Sequence, residues 1–521
     1  MPLIEPAQIM GCWVVARVRV GGTICPLMNR AFFHRVLTWI FLAGLQPLRA
    51  ELAQPSLEPT LRAVDLKLGE MAEVRLADGK LAKVRLLDLQ EKVDSMAGAV
   101  REAKVTVEVN GEKAVLSSAN YQLPQAVGGV QVDCPITRGY NANSGEDSWG
   151  LEKDARLRLW PAGSPWIEPG TFVYPLKQRW FATMTQFSNE PTYVDGGDKP
   201  DRRKIYYHND LDFGGCEGLT EVIAATDGLV VSVADKILDG HTLTPVRPRY
   251  DVVYLLDGRG WYYRYSHLHT IDPAIQLGAR VKMGQKIGIL GKEGASGGWS
   301  HLHFGIKSRQ PSGKWGTQEA YAFAWEACVK EQKPAVIAVA RPHHFIRAGE
   351  TITLDGSKSW AASGKLASHE WTFTDGGRSS QARVSRTYDK PGSYSEILKV
   401  TDEEGRVSYD FAVVQVIGAD EKNIPPTIHP SFWPTQNLKP GQPVTFKVRT
   451  FRDRGGETWD FGDGTPPVKV ASDGNARPLN KEGYAVTEHA FARAGDHLVT
   501  VEHTNERGER AVAHLWVRVG E

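Results

Sequence analysis

At 521 residues the chain is too long for one hydrophobic core, and about 150 residues per domain predicts three or four domains. Charged residues are 24% and apolar ones 41%, which excludes wholesale disorder, and a net charge of +1 gives no overall electrostatic case for nucleic acid or an anionic membrane. The 52 Gly and 30 Pro favour β-rich domains joined by turns, five Cys rule out a disulfide-stapled miniprotein, and no apolar run reaches the roughly 18–20 residues of a membrane span.

Arg30 and Arg35 precede an uncharged, mostly apolar stretch at residues 36–45, then Pro47 and Leu48-Arg49-Ala50. A charged segment, an apolar segment and a small residue in that order predict an export signal over residues 1–50, cut near Ala50. The charged segment is long for such a signal, and a start at Met28 is expected. No Cys follows the apolar stretch, so no lipid anchor is expected there. The mature chain is predicted to be secreted, or periplasmic to extracellular, with no membrane span. Export permits disulfides. Cys134, Cys216 and Cys328 allow one bridge in three pairings, and the sequence does not choose among them.

Residues 51–165 are predicted to be β-rich. Val105, Val107 and Val109 alternate with polar residues before Asn110-Gly111, a hairpin signal, and Ala77-Asp78-Gly79-Lys80 gives a second. A helix is predicted between them over Leu89–Ala103. Residues 166–330 are dense in Gly, His and aromatics, and 331–334 read as a linker.

Residues 335–418 and 425–521 repeat a pattern. The first copy holds Trp371-Thr372-Phe373-Thr374-Asp375-Gly376, the second Trp459-Asp460-Phe461-Gly462-Asp463-Gly464-Thr465. A period of roughly 90 residues with short strands and Asp-Gly turns predicts tandem β-sandwiches. Both copies resemble polycystic-kidney-disease-type (PKD) domains. The second carries the signature intact, and the first departs at Thr372, Thr374 and Gly377. The resemblance implies an immunoglobulin-like fold and an accessory role, either binding protein or polysaccharide or acting as a spacer.

The chemistry concentrates between residues 208 and 303. His208 and Asp212 stand at i and i+4, and His301 and His303 at i and i+2. In a strand the latter two share a face. Neutral imidazoles and a carboxylate suit zinc, and three protein ligands plus water is the catalytic pattern. Each pair alone is weak. Their order is specific, because Tyr265-Ser266-His267-Leu268 and Val281 to Gly288 lie between them.

Residues of about 200–310 resemble a lysostaphin-type zinc metalloendopeptidase domain of the LytM kind. The four motifs of that family match His208 to Asp212, Tyr265 to Leu268, Val281 to Gly288 and His301 to Phe304. The resemblance implies Zn²⁺ held by His208, Asp212 and His303, with His267 and His301 as the catalytic pair handling water and oxyanion. It also implies a mostly β chain: an N-terminal β-rich domain, an antiparallel β metallopeptidase domain at 166–330, and two immunoglobulin-like β-sandwiches.

Three departures stand out. The middle Gly of the first motif is Asp210, expected to face solvent. The Glu that commonly follows H-L-H-F is Gly305. The upstream G-x-R element has no clear counterpart near Gln186. None is a ligand position. His269 is expected at the surface. His241, His343, His344, His369 and His429 lack partners at metal spacing and are expected to be structural or exposed. Cys216 is expected in a disulfide with Cys328 or as a buried thiol, and Gly291 to Gly298 as the loop leading into His301.

Three functions stay open. The first is a secreted zinc endopeptidase cutting peptide cross-links or bridges of bacterial peptidoglycan. The second is a non-catalytic wall-binding regulator with a degenerate peptidase fold, and the third an endopeptidase of secreted or matrix proteins. From its position, residues 51–165 are expected to cover the site until processed.

Overall fold

The computed structural model describes residues 55–118, 120–142, 147–187, 190–193, 205–420, 424–474 and 483–520, so the predicted export signal and the Met28 start lie outside the described residues. The described chain is mostly β and largely antiparallel. Strands Met71–Arg75, Leu81–Val93, Val100–Val109 and Glu112–Ser117 form a meander. Both predicted turns occur. Asn110 and Gly111 take φ of 50° and 89°, the two successive left-handed residues that a type I′ turn needs.

The helix predicted over Leu89–Ala103 is absent. These residues finish one strand and start the next, turning where Asp94 Oδ1 accepts the amides of Met96, Ala97 and Gly98 at 3.1, 2.8 and 3.0 Å. Leu89, Val93, Met96, Val100 and Ala103 have near-helical spacing, but pairing of Leu89 with Val105 and of Val93 with Val100 overrides it.

A second sheet runs Arg62–Leu66, Ala155–Pro161, Val130–Thr137, Gln125–Val127. Leu66, Val84, Val107, Val132 and Leu157 make the core shared by the two sheets. The second sheet is bound tightly to the middle third of the chain. Arg158, paired with Asp133 across 2.9 Å, donates from Nη1 to the Glu319 carbonyl at 2.6 Å. Leu61, Tyr121, Trp160 and Ile167 join the same apolar core as Phe213, Tyr265 and Phe304.

That central core lies behind an antiparallel sheet ordered Leu211–Gly214, His301–Arg309, Tyr262–Ser266, Val253–Leu256, Gly228–Val233. Glu221–Ile223, Lys286–Leu290 and Leu268–Ile271 form a smaller sheet beside it. The helix Tyr321–Gln332 packs into this core through Tyr321, Phe323 and Trp325. The linker predicted at 331–334 is therefore half helix: Glu331 and Gln332 complete the last turn, and Lys333 ends it at φ 45° with its N–H on the Val329 carbonyl.

Two sandwiches complete the chain, with cores around Trp371 and Phe373 and around Trp459 and Phe461. The rings of each pair lie nearly parallel, at 12° and 2°. The first copy's altered signature still closes its turn, because Thr374 donates from its N–H and its hydroxyl to Glu396 Oε2 at 2.6 and 2.9 Å. The two sandwiches are joined edge to edge: Gly392 and Ser393 pair in parallel with Arg510 and Ala511.

Cys134, Cys216 and Cys328 are all buried and unbridged, so the disulfide entertained for them does not form among the described residues. No helix there is long and apolar enough to cross a membrane.

Candidate active site and metal centre

The His301–Arg309 strand runs between Leu211–Gly214 and Tyr262–Ser266, and their register gathers the site. Asp212 and Ser266 both stand opposite His303, and Gly214 opposite His301. Strand alternation sends Leu302 and Phe304 into the core and His301 and His303 to the other face. His208 enters from the turn before Leu211, where its N–H donates to the Glu190 carbonyl at 2.9 Å. His267 follows Ser266 at φ 68°, a left-handed turn held by its N–H on Asp251 Oδ2 at 2.8 Å.

The five predicted site residues converge. His208 Nε2, His303 Nδ1 and Asp212 Oδ1 form a triangle with sides of 3.0, 2.9 and 2.9 Å. The three side chains are only 3%, 7% and 2% exposed. Two imidazole nitrogens and a carboxylate oxygen are a donor set for zinc, whose bonds of about 2.1 Å in a tetrahedral site put donors about 3.4 Å apart. Parting the triangle by a few tenths of an ångström accommodates the ion, so the residues fit it.

His267 and His301 stand beside this triangle, with ring centroids 4.6 Å apart. His267 Nδ1 is 2.6 Å from the Glu293 carbonyl, and His301 Nδ1 is 3.1 Å from the Trp299 carbonyl. A carbonyl only accepts, so each Nδ1 carries hydrogen and each Nε2 is the basic nitrogen. Trp299 stacks on His301 at 3.9 Å.

Electrostatics separate the two groups. Burial holds His267 below the usual histidine value and His301 well below it, so both are neutral at neutral pH. Burial opposes charge on His208 and Asp212 as well, but their proximity outweighs it: the pKa of His208 is raised and that of Asp212 falls well below the carboxylate range.

Asp210 does not face solvent as expected. It is buried, with Oδ2 3.1 Å from His303 Nε2 and Oδ1 3.0 Å from Lys307 Nζ. Burial opposes its charge, but Lys307 and His303 hold its carboxyl well below the ordinary range. The contact puts hydrogen on His303 Nε2 and turns the Nδ1 lone pair toward the triangle. A Cβ at Gly305 would lie 2.2 Å from Asp210 Oδ2, so the two departures from the motif are complementary. That reciprocity at facing positions was the signal in the sequence that Asp210 points inward.

The second sandwich reaches the site, which the sequence did not foreshadow. The Ser300 N–H donates to the Tyr484 hydroxyl at 2.7 Å, that hydroxyl meets His429 Nδ1 at 2.9 Å, and His429 Nε2 meets Thr185 Oγ1 at 2.9 Å. Arg449 donates to the Gly298 carbonyl at 2.5 Å. His429 is thus structural, as expected, but it belongs to the support of the loop carrying His301. His269 is half-buried rather than exposed and lies outside the triangle.

Residues 206–314 match the model for peptidase family M23. The site lies in an M23 peptidase domain. Residues 332–416 and 431–515 each match a PKD domain. The chain is 31% identical over 80 residues to "Collagenase ColA" of Clostridium perfringens (strain 13 / Type A), covering 15% of this chain and 7% of that protein. It is 30% identical over 128 residues to the "Microbial collagenase" of Vibrio alginolyticus, covering 22% of this chain and 16% of that one. It therefore spans a small part of these relatives. Similar solved structures include Helicobacter pylori Csd3, at 13% identity over 50% of this chain and 82% of that chain with a TM-score of 0.20. The fibronectin(III)-like modules of Clostridium thermocellum CbhA are another, at 16% identity over 36% of this chain and 94% of that chain with a TM-score of 0.14.

Proposed function

We propose that this chain is an exported zinc endopeptidase that hydrolyses peptide cross-links or bridges of bacterial peptidoglycan. His208, Asp212 and His303 are the metal ligands, and His267 and His301 the catalytic pair. The observation that carries this reading is the triangle of His208 Nε2, Asp212 Oδ1 and His303 Nδ1, with sides of 2.9–3.0 Å, beside two neutral imidazoles. Zinc supplies Lewis acidity for the scissile carbonyl and lowers the pKa of water from 15.7 to about 7.

The chain's own groups do the rest. A basic Nε2 of His267 or His301 removes a proton from the attacking water, and the resulting imidazolium hydrogen-bonds the developing oxyanion. The proton then passes to the amide nitrogen as the C–N bond breaks. The Glu293 and Trp299 carbonyls keep both rings oriented, and Asp210 orients His303. Asp212, His301 and His303 lie on strands of a packed sheet, which limits their excursions, and His208 and His267 lie in turns at the ends of its strands.

The substrate class rests on the resemblance to lysostaphin-type enzymes. Stretches shared with two proteins named collagenases support the second reading, hydrolysis of secreted protein. Purified protein is expected to hold about one zinc per chain and to clear cell-wall zymograms, with loss of clearing on chelation and in His303→Ala. A gelatin zymogram run beside it separates the two substrates. Equal clearing by the wild type and His303→Ala would overturn the peptidase reading.

A further inference from the structure

A cleft of about 520 Å³ reaches one corner of the metal triangle, His303, and Asp210, Tyr254, Arg264 and Arg247 are also among its walls. Its charges do not balance. Asp210 is taken up by His303 and by Lys307. Asp147, the other acid in the wall, accepts the Gly150 amide at 2.9 Å and faces Lys314 at 3.7 Å. One carboxylate, Asp210, thus faces both Lys307 and Arg264, and neither Arg264 nor Arg247 has an acid at ion-pair distance among the described residues.

Arg264 is the telling one. It sits in the Tyr262–Ser266 strand, opposite Tyr254 on one side and Gly305 on the other. Two residues further along, Ser266 stands opposite His303. Arg264 therefore shares a face with His303 and lies about 7 Å from it along the strand. Its Nε is buried and has no hydrogen-bond partner. It makes no ion pair among the described residues. A guanidinium donor withdrawn from water and left unmatched is costly, and it is retained where a ligand completes it. Arg247 is fixed at the cleft by its own loop, donating from Nη1 to the Thr244 and Val246 carbonyls at 3.1 and 3.0 Å. Those bonds leave its charge uncompensated.

We infer that Arg264, with Arg247, forms a carboxylate-binding subsite, so that the preferred substrates are peptides carrying a carboxylate one or two residues from the scissile bond. The planar fork of a guanidinium matches a carboxylate in two parallel hydrogen bonds. A peptide advances about 3.3 Å per residue, so the separation along the strand sets the one-to-two-residue spacing. The carboxylate is either an acidic side chain or the free C-terminus of the peptide. This inference rests on the peptidase reading for its scissile bond, but not for the carboxylate preference itself.

The test uses the full zinc-loaded chain and a set of alanine pentapeptides. Each carries Glu at one position in turn, with Gln counterparts, and each is made with a free or an amidated C-terminus. The wild type is expected to prefer one carboxylate position over its carboxamide by about tenfold in kcat/KM, chiefly through KM. Arg264→Gln brings that ratio to about one, Arg264→Lys restores part of it, and Arg247→Gln, on the exposed rim, lowers it less. A Glu position that responds identifies a side-chain carboxylate, and a response to amidation identifies the C-terminus. A preference that persists in Arg264→Gln, or no preference in the wild type, overturns the subsite. If no peptide is cut, the peptidase reading fails on these substrates, while calorimetric binding of the same peptides to wild type and Arg264→Gln still decides the subsite.

Discussion

The carboxylate of Asp210 meets His303 Nε2 at 3.1 Å, and it does so through the space that a side chain at position 305 would fill. One residue thus supplies a buried charge, and another supplies the room for it. Gly305→Ala puts a methyl against that carboxylate. We expect it to lower stability by about 1–3 kcal/mol, and in Asp210→Gly/Gly305→Ala most of that loss should vanish. Asp210→Asn should weaken zinc affinity about 10–100-fold and also lower the melting temperature, because Lys307 loses its buried acid. Thermal melts and chelator competition read the two effects separately.

Tyr484→Phe removes the acceptor of the Ser300 amide, two residues after Gly298 and next to His301. An unsatisfied buried amide costs about 1–3 kcal/mol. Activity is expected to fall several-fold, with zinc content unchanged, because none of the three ligands touches Tyr484. Turnover measured beside metal content checks this, and a variant that loses its zinc would contradict it.

Acid should unlock the same contact. Burial pushes His429 down to about 3 from an ordinary 6.5, and His343 likewise. A histidine with its pKa depressed by folding binds more protons when unfolded, so its stabilising contribution is full above about 6.5 and is lost as pH falls toward 3. The His429 ring accepts from Tyr484 at Nδ1 and donates to Thr185 at Nε2, and protonation of Nδ1 destroys the acceptor. Melting temperature is expected to drop steadily from pH 6.5 to pH 4. His429→Gln, which does not titrate, should flatten that slope relative to wild type.

Reductant should leave the melt unchanged. Cys134, Cys216 and Cys328 are buried and unbridged, and burial raises the thiol of Cys134 to about 12 and of Cys216 to about 11. Such thiols are poor nucleophiles. Equal melting curves with and without dithiothreitol, and no labelling of Cys134, Cys216 or Cys328 by iodoacetamide in the folded chain, are the expected results.

The five side chains that converge were legible from the order of four motifs, His208 to Asp212, Tyr265 to Leu268, Val281 to Gly288 and His301 to Phe304, since each pair alone is weak. The sandwiches were legible from Trp371 and Trp459 and the Asp-Gly turns just after them. Local periodicity failed at Leu89–Ala103, where valine-rich cross-strand partners decide the conformation and lie outside any local window. Contacts between domains were equally out of reach. Nothing adjacent to Ser300 in sequence announces Tyr484, which lies 184 residues away. The expectation that residues 51–165 cover the site until processed also needs restating. Leu61, Tyr121 and Trp160 share the core of the M23 region, so a chain starting near Phe172 would lose part of that core along with any cover.

The parallel seam between Gly392–Ser393 and Arg510–Ala511 has a mechanical meaning. It joins the two PKD sandwiches in one sheet, and Tyr484 and Arg449 hold the second of them to the loop before His301. The position of His301 therefore answers to the second sandwich as well as to its own sheet.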